Sequence, residues 1–302
     1  MKKNLAEAIL LSGGLDTSIL AVIASRFIPL KAVTVAFQNA PAPDVEYAVL
    51  MANKLGLKHT THIFSEDELY DAISTVVKTM RSFDPMEIRN SVTIYVGLKV
   101  AKESGICAVM TGDGCDELFA GYSFLFGLEK EKLDSELVKL WSVMTFSSVP
   151  LTRALGMEAR LPYLDPDFKD FAMKLDSRYK VRTENGQIYG KWILRKAYEK
   201  LLPREVTWRV KTPIEFGSGT TALSALFTRK ISDAEFDDKK GKYLAEDEVT
   251  VRNKEQLFYY EVYRSVIGVP HPTSMEGKVC PQCNSNVADE ATYCRTCGAY
   301  PI

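Results

Sequence analysis

The sequence lacks an excess of charge of either sign. Its 302 residues carry 38 Lys and Arg against 39 Asp and Glu. No overall field would therefore draw the chain to nucleic acid or to an acidic membrane surface, although a local basic patch is compatible with this balance. The sequence also lacks a run of about 18 apolar residues, the length that a membrane span needs, and the first apolar run is too short for a signal peptide. We therefore expect a soluble, cytoplasmic protein with no membrane partner.

Cysteine is scarce outside the C-terminal segment. Of six cysteines only two precede the last 23 residues: Cys107, expected in the core, and Cys115, expected to be accessible. The other four have the spacing Cys-x2-Cys-x10-Cys-x2-Cys, which favours a metal site in a reducing compartment over a disulfide framework. Four thiolates predict a closed, structural Zn²⁺ site, and so short a segment should fold only as it binds the metal. The predicted ligands are Cys280, Cys283, Cys294 and Cys297.

The first third of the chain alternates between apolar strands and amphipathic helices. Its strands are continuous apolar runs, which predict an α/β fold with a parallel sheet and helices on both faces. Beyond Leu118 the pattern predicts a helical extension without further parallel strands, and the charge-rich residues 230–248 predict a mobile insertion or surface loop. Prolines and small polar residues then indicate a linker. The predicted domains are residues 1–269, a linker at 270–278 and a small C-terminal zinc ribbon at 279–302.

Two polar loops follow apolar strands, where ligands bind in parallel sheets. The first, Ser-Gly-Gly-Leu-Asp-Thr-Ser at 12–18, opens a helix whose free N–H groups and partial positive charge favour phosphate. Asp16 adds an acid to this anion site, which indicates a divalent cation between it and the phosphates. The second loop, Thr-Gly-Asp-Gly-Cys-Asp-Glu at 111–117, supplies more carboxylates. Neither loop is a Walker A motif or a dinucleotide fingerprint. A plain helix cap and a solvated turn are their structural alternatives.

These loops and several later blocks resemble the asparagine synthetase B family. Residues 12–18 are similar to the pyrophosphate-binding loop of ATP pyrophosphatases, and by themselves would equally suit argininosuccinate synthetase. The remaining blocks follow in the family's order and decide between the two. The resemblance covers about residues 5–268 and implies an adenine nucleotide alpha hydrolase-like fold. The later blocks are residues 111–122, 158–165, 191–195, 202–203 and 208–211.

The resemblance implies a two-step reaction. ATP would adenylate an aspartate-like carboxylate with release of pyrophosphate, and ammonia or an amine would then displace AMP to form an amide. Asp16 and Asp116 would hold Mg²⁺. Lys191 would stabilise the departing pyrophosphate, a role worth roughly 3–4 kcal/mol, with Arg89 in the same cleft and Asp113 as the base for ammonia. The residues implied to bind ATP are Leu10, Ser12, Gly13, Gly14, Asp16, Thr17, Ser18, Val35, Thr111, Gly112 and Asp116.

The sequence departs from the family pattern at three places. Asp113 replaces the usual glutamate, and a base misplaced by about 1 Å can cost 10²-fold in rate. Residues 212–219 differ from the family's usual run rich in glutamate and glutamine, so the carboxylate substrate stays open. The ATP loop is reached at residue 12 with no glutaminase domain before it. We therefore expect free ammonia, a separate glutaminase subunit or another amine as the nitrogen source.

Other functions and partners are open at this point. An enzyme of the same adenylating type could act on tRNA or another macromolecule delivered by the zinc ribbon, although the ribbon has few cations for nucleic acid. A non-catalytic nucleotide-binding scaffold is a further alternative. A homodimer is also open.

Overall fold

A computed structural model describes residues 2–274 and 277–302 of the chain. One sheet has the strand order β3-β2-β1-β4-β5, and β1 is parallel to β2 and β4, as β4 is to β5. The prediction of a parallel α/β sheet is confirmed. A separate antiparallel hairpin consists of β6 and β7. The strands are β1 (Ala8–Leu10), β2 (Lys31–Phe37), β3 (Lys58–Phe64), β4 (Ala108–Met110), β5 (Glu158–Arg160), β6 (Arg182–Glu184) and β7 (Gln187–Tyr189).

Helices connect these strands and continue beyond them. None of the helices within 2–274 and 277–302 is both long enough and apolar enough to cross a membrane. The helices are α1 (Leu15–Ala24), α2 (Asp44–Leu55), α3 (Glu66–Met80), α4 (Pro85–Glu103), α5 (Cys115–Leu118), α6 (Lys130–Val143), α7 (Ser148–Ala154), α8 (Pro166–Lys174), α9 (Trp192–Tyr198), α10 (Arg204–Thr207), α11 (Ile214–Gly217), α12 (Ala222–Lys230), α13 (Asp233–Asp247) and α14 (Lys254–Val266).

The order of the strands places two loops beside each other. Strand β1 is followed by β2 on one side, whereas β4 lies on its other side, so the order reverses between β1 and β4. In open parallel sheets such a reversal opens a crevice at the carboxyl ends of the strands. Successive residues of β2 from Ala32 to Phe37 are all buried, and because strand side chains alternate between faces, both faces of the sheet are covered at β2.

Helix α1 begins at Leu15, inside the polar loop predicted at residues 12–18. Asp16 therefore belongs to the first helical turn and not to the preceding loop. Gly14 occupies the N-cap, and within the described chain no side chain caps this end. The first-turn amides of α1 are therefore available to another acceptor.

The chain forms two compact units. The first consists of the residues up to Val35, Ala42–His62 and Gly97–Pro213, and the second consists of Ala36–Pro41, Ile63–Val96 and Ile214 onward. In the second unit α14 packs on α3 and α12, and the rings of Phe227 and Phe258 stack at 4.5 Å. The domain boundary at 269 and the linker at 270–278 stay predictions, and Met275 and Glu276 of that linker lie outside the described residues.

Two expectations about secondary structure are wrong. Strand β5 adds a parallel strand beyond Leu118; it has three residues with Glu158 and Arg160 at its ends, so no apolar run marks it. The charge-rich segment is not a loop, because α13 occupies most of it. The Ser232 side chain caps α13, and Lys239 pairs with Glu235 one turn away. Capping and charge pairs of this kind stabilise a helix that has few apolar residues.

The expectations for two cysteines are also wrong. Cys107 is exposed, because β4 begins one residue later, at Ala108. Cys115 is fully buried on α5 in the core cluster of the first unit. Burial raises the pKa of the Cys115 thiol well above its ordinary value.

Candidate active site and candidate metal centre

The first glycine loop is held by short polar contacts. Ser12 Oγ accepts a hydrogen bond from the Gly14 amide at 3.2 Å and lies 3.1 Å from Thr17 Oγ1. Gly13 has a φ of +68°, and a Cβ there would lie 2.3 Å from the backbone of Ala48 in α2. Only glycine fits this left-handed, crowded position. The loop therefore brings its backbone close to α2, next to the uncapped start of α1.

The second loop packs against the start of α1. A Cβ on Gly112 would lie 3.2 Å from both Asp16 Cβ and Thr17 Cγ2. The loop's first carboxylate, Asp113, accepts a hydrogen bond from Thr111 Oγ1 at 2.9 Å and another from Ser148 Oγ. Burial raises the pKa of Asp113, and the two hydroxyl donors oppose that rise. Asp113 is thus a carboxylate whose proton affinity depends on two specific neighbours.

The structure brings Asp16, Asp116 and Lys191 together. The Lys191 ammonium lies 2.5 Å from Asp16 Oδ2 and 2.7 Å from Asp116 Oδ1. Lys191 is only 4% exposed, so this is a buried charge cluster and not a surface ion pair. A second lysine, Lys211, lies 2.7 Å from Asp116 Oδ2. The two loops, separated in sequence, therefore share one cation.

The carboxylate of Asp116 and the ammonium of Lys191 hold each other ionised. Burial acts to raise the pKa of Asp116, but the ammonium groups of Lys191 and Lys211 outweigh it and lower that pKa to about 2. Burial likewise acts to lower the pKa of Lys191, whereas Asp116 and Asp16 raise it above its ordinary value. Breaking such a buried pair leaves an uncompensated charge, which is strongly destabilising.

Two backbone features place Lys191. Its φ of 56° is left-handed, an uncommon conformation for a residue other than glycine and one that clusters at functional sites. Its amide donates to the carbonyl oxygen of Phe119 at 2.8 Å. The backbone of Gly121 also passes so close that a Cβ there would lie 1.8 Å from Asp116 Oδ1 and 2.4 Å from Lys191 Cε.

The sequence motifs alone predict no role for Gly121 or Lys211. Both lie inside blocks that carry the family resemblance, which is the signal that could have found them. Lys211 also lies over the Tyr122 ring at 5.0 Å, and the Tyr122 hydroxyl donates to Glu117 Oε1 at 2.5 Å. The Tyr122 ring and the ion pair with Asp116 therefore hold Lys211 at the edge of the cluster.

Leu10 and Val35, two of the residues implied to bind ATP, lie at the same end of the sheet. Leu10 ends β1, and Val35 lies near the end of β2. A Cβ on Gly97 would lie 3.1 Å from Leu10 Cδ2 and 3.8 Å from Val35 Cγ1, so both side chains border one position of α4. The Ser18 hydroxyl is different: it is buried and has no hydrogen-bond partner among the described residues.

Arg89 belongs to the second unit, and its described partners are carboxylates of that unit. Its guanidinium forms a bidentate pair with Glu255, at 2.8 Å from Oε1 and 2.5 Å from Oε2, and lies 3.3 Å from Glu215. Glu255 is 1% exposed and also accepts a hydrogen bond from the Tyr259 hydroxyl. The bond with Glu255 raises the pKa of Arg89 above its ordinary value.

The four C-terminal cysteines form a candidate metal centre. All four are buried, and their sulfur atoms lie within 4.8 Å of one another. The pairs Cys280–Cys297 and Cys283–Cys294 are each 3.7 Å apart. A tetrahedron with Zn–S bonds of about 2.3 Å has edges of ~3.8 Å. The sulfur spacing therefore fits a tetrahedral Zn²⁺ ion and is too long for disulfide bonds.

The first unit also offers ligands suited to Mg²⁺. Asp16 Oδ1 is buried and accepts no hydrogen bond from the described residues. Its other oxygen and Asp116 already share one cationic group, Lys191. Because Mg²⁺ is usually bound by one or two carboxylates with substrate phosphates, this donor set beside the uncapped end of α1 fits a magnesium–phosphate ligand.

Fold and site together define a parallel α/β protein. Its glycine loop and its carboxylate–lysine cluster lie where the strand order reverses, between β1 and β4. The chain belongs to the asparagine synthase family, whose family model matches residues 1–142 and 144–271. The match includes both loops and Lys191, and it ends before the four cysteines.

The similar proteins include glutamine-hydrolysing asparagine synthetases. Asparagine synthetase B of Escherichia coli strain K12 is 30% identical over 291 residues, which are 89% of this chain and 52% of that protein. A probable asparagine synthetase of Schizosaccharomyces pombe is 32% identical over 272 residues, with shares of 78% and 48%. The chain thus spans about half the length of these curated relatives. Among solved structures, NMN synthetase from Francisella tularensis aligns with a TM-score of 0.38 at 15% identity, over 87% of this chain and 86% of that one.

Proposed function

We infer that the chain is an ATP-dependent, AMP-forming ligase that makes an amide from an aspartate-like carboxylate and ammonia or an amine. The observation that carries this proposal is the meeting of Asp16 and Asp116 on Lys191 beside the uncapped end of α1. Family membership supports the same reaction, because the relatives are named asparagine synthetases.

In the first step a carboxylate oxygen attacks the α-phosphorus of ATP. The bond from that phosphorus to the bridging oxygen breaks, and pyrophosphate leaves with the electron pair. We assign the pyrophosphate to the hydroxyls and amides of Ser12, Gly13, Gly14, Thr17 and Ser18, because they surround the free end of α1. Leu10, Val35, Thr111 and Gly112 are assigned to the adenosine and ribose.

Charge stabilisation in this step is assigned to the buried lysine. Mg²⁺, held by Asp16 and Asp116 when bound, would neutralise the triphosphate oxygens. If Asp16 and Asp116 held Mg²⁺, the Lys191 ammonium would be freed from these partners to act as a preorganised cation for the leaving pyrophosphate. Arg89 is assigned to the same step from the family resemblance, as a second cation.

In the second step a nitrogen nucleophile attacks the acyl carbon, AMP leaves, and the nitrogen loses a proton. Asp113 is the proposed acceptor of that proton. Its raised pKa suits a base better than an ordinary carboxylate, because proton transfer is favoured when the pKa of the base lies nearer the working pH.

Product analysis tests the proposal. Protein loaded with zinc is incubated with ATP, Mg²⁺, ammonium and a panel of small carboxylic acids that starts with aspartate. AMP, pyrophosphate and amide should appear in equal amounts and depend on both the acid and ammonium. The Asp116→Asn variant should lose turnover, while Asp134→Asn, whose side chain is exposed on the surface of α6, serves as the matched control.

Three other results would contradict the proposal. AMP formation that requires tRNA would favour a macromolecular acceptor. Tight ATP binding without turnover would favour a scaffold, and ADP in place of AMP would exclude adenylation. A nitrogen source other than ammonium is tested by adding glutamine together with a separate glutaminase.

A further inference from the structure

Along the sequence the four cysteines form two pairs, Cys280 with Cys283 and Cys294 with Cys297, and the second of these pairs is docked on the rest of the second unit by its own backbone. Three consecutive carbonyl oxygens, those of Arg295, Thr296 and Cys297, accept hydrogen bonds from other segments. Ser82 Oγ donates to the first at 2.8 Å, and the Phe83 amide donates to the second at 2.7 Å. Arg295 and Thr296 lie between the predicted zinc ligands Cys294 and Cys297, and Cys297 is itself a ligand. The direction of the three carbonyl groups therefore depends on how the metal holds these two cysteines.

The same pair also contacts the start of α14. The carbonyl oxygen of Cys297 accepts hydrogen bonds from Arg252 at 2.6 Å and from the Gln256 side chain at 2.7 Å. Gln256 is fully buried and directly follows Glu255. Cys297 is therefore linked by hydrogen bonds to the start of α14, the helix whose residue Glu255 is the main partner of Arg89.

A second connection leads to the start of α4. Asp84 caps this helix, because its carboxylate accepts hydrogen bonds from the amides of Met86 and Glu87 at 3.3 Å each. The Tyr293 hydroxyl donates to the same carboxylate. Gly298, with a φ of +75°, approaches so closely that a Cβ there would lie 2.1 Å from Asp84 Oδ1. Arg89 lies one turn further along α4.

We propose that the zinc ribbon is an internal brace that positions Arg89, with Asp84, Gln256 and Gly298 as the positioning residues. Its second cysteine pair, Cys294 and Cys297, fixes the first turns of α4 and α14, and these turns carry the two members of the ion pair between half-buried Arg89 and buried Glu255. The catalytic meaning of that pair rests on the proposed function; the brace itself does not.

The two cysteine pairs provide a matched comparison. Asn284 follows Cys283 as Gly298 follows Cys297, and both residues have a left-handed φ. The amide of each donates to the carbonyl oxygen of the first cysteine of its pair, at 2.9 Å for Asn284 and 2.7 Å for Gly298. Because asparagine tolerates this conformation, Gly298→Asn isolates the clash with Asp84, and Asn284→Gly is its control.

Hydrogen exchange followed by mass spectrometry tests the brace on the full chain. Removal of zinc by a chelator should speed exchange at least tenfold in peptides covering residues 82–90 and 250–260. Peptides of β1 and β2 serve as the internal reference and should change little. Gly298→Asn should give the same local pattern with zinc still bound, whereas Asn284→Gly should exchange like the wild type.

Activity supplies a second readout. Asp84→Ala should lower kcat for AMP formation about tenfold without changing the affinity for ATP measured directly. Asp84→Asn should restore kcat, because its side-chain oxygen can still cap α4. A loss of ATP affinity equal to the loss of kcat would contradict a positioning role.

Two exchange results would overturn the brace. If exchange rises only in residues 277–302, the ribbon is an independent appendage. If it rises equally in β1 and β2, zinc supports the whole fold and not these two helix starts. Should the wild type form no AMP at all, the proposed function fails, while the exchange experiment still decides this inference.

Discussion

The Nζ atom of Lys191 donates to Oδ2 of Asp16 across 2.5 Å, although 175 positions separate the two residues in the sequence. Asp116 contacts the same ammonium, so the cluster carries its own cation between two acids. The proposed Mg²⁺ site and this ion pair therefore compete for the same carboxylates. Binding of the metal and release of the lysine should be one linked event.

Replacement of Lys191 tests this competition. Lys191→Met should reduce kcat for AMP formation by roughly 10²- to 10³-fold, the usual loss for one preorganised electrostatic group. It also leaves two buried acids without their cation, which should lower the melting temperature. Millimolar Mg²⁺ should then raise the melting temperature of Lys191→Met more than that of the wild type, because the metal can replace the missing ammonium.

Lys191→Arg is the control, since it keeps the positive charge. Its melting temperature should respond to Mg²⁺ as weakly as that of the wild type. Equal stabilisation of all three proteins by Mg²⁺ would mean that Asp16 and Asp116 do not form the cation site.

We expect the rate of AMP formation to depend on Gly121 as strongly as on a charged residue of the cluster. A Cβ at this position would lie 1.8 Å from Asp116 Oδ1, so Gly121→Ala must displace Asp116 or Lys191. A shift of about 1 Å in a reacting group can cost on the order of 10²-fold in rate. We expect a loss of that size in AMP formation, with a circular dichroism spectrum like that of the wild type.

The matched substitution is Gly241→Ala in α13, where an added Cβ meets nothing within 4 Å. It should leave activity unchanged and stabilise the protein by about 0.5–1 kcal/mol, because alanine loses less backbone entropy in a helix. Full activity in Gly121→Ala would show that the cluster can shift without loss.

Much of the fold could be predicted because the central strands are predominantly apolar. Strands β1, β2 and β4 are recognisable in this way, and their carboxyl ends place both loops. Strand β5 could not be predicted, because it has three residues and charged ends. Helix α13 could not be predicted, because its stability comes from capping and ion pairs, and composition alone does not distinguish such a helix from a solvated loop.

The site could be predicted only at residues that belong to recognisable sequence motifs. Glycines and acids in two loops indicated the carboxylates, and the resemblance indicated Lys191. The contact of Lys211 with Asp116 and the close approach of Gly121 to Asp116 depend on tertiary geometry. The motifs therefore include both residues but do not reveal their roles. The docking of the cysteine pair on Asp84 and Gln256 had no sequence signal, because most of its contacts use backbone carbonyls.

The proton affinity of Asp113 gives a prediction about pH. Since its pKa is raised, the acidic limb of the rate profile should lie above the ordinary carboxylate range of about 4. Ser148→Ala removes a donor that favours the ionised form and should move this limb to still higher pH, with a larger rate loss at pH 6 than at pH 8. Ser142→Ala, whose exposed hydroxyl bonds to Lys139, should leave the profile unchanged.

The raised pKa of Asp113 also makes the stability of the protein depend on pH, and its contribution to stability should fall as pH rises. A carboxyl whose folded pKa exceeds its unfolded pKa adds stability at low pH, and this contribution is lost as pH rises through the folded value. Asp113→Asn should therefore gain melting temperature relative to the wild type at pH 8 but not at pH 4. A limb that stays in place in Ser148→Ala would remove Asp113 as the base.

The candidate zinc centre predicts a specific pattern of thiol reactivity. All six cysteines belong to the described residues, and of these Cys107 alone is exposed. Native protein should therefore show one fast-reacting thiol, and a chelator should release four more, while Cys115 stays protected by the core. Metal analysis should find about one zinc per chain in the wild type and in Cys107→Ser, and much less in Cys294→Ser, because a structural site needs all four sulfur ligands. Full zinc content in Cys294→Ser, or release of only two thiols by the chelator, would contradict a four-cysteine centre.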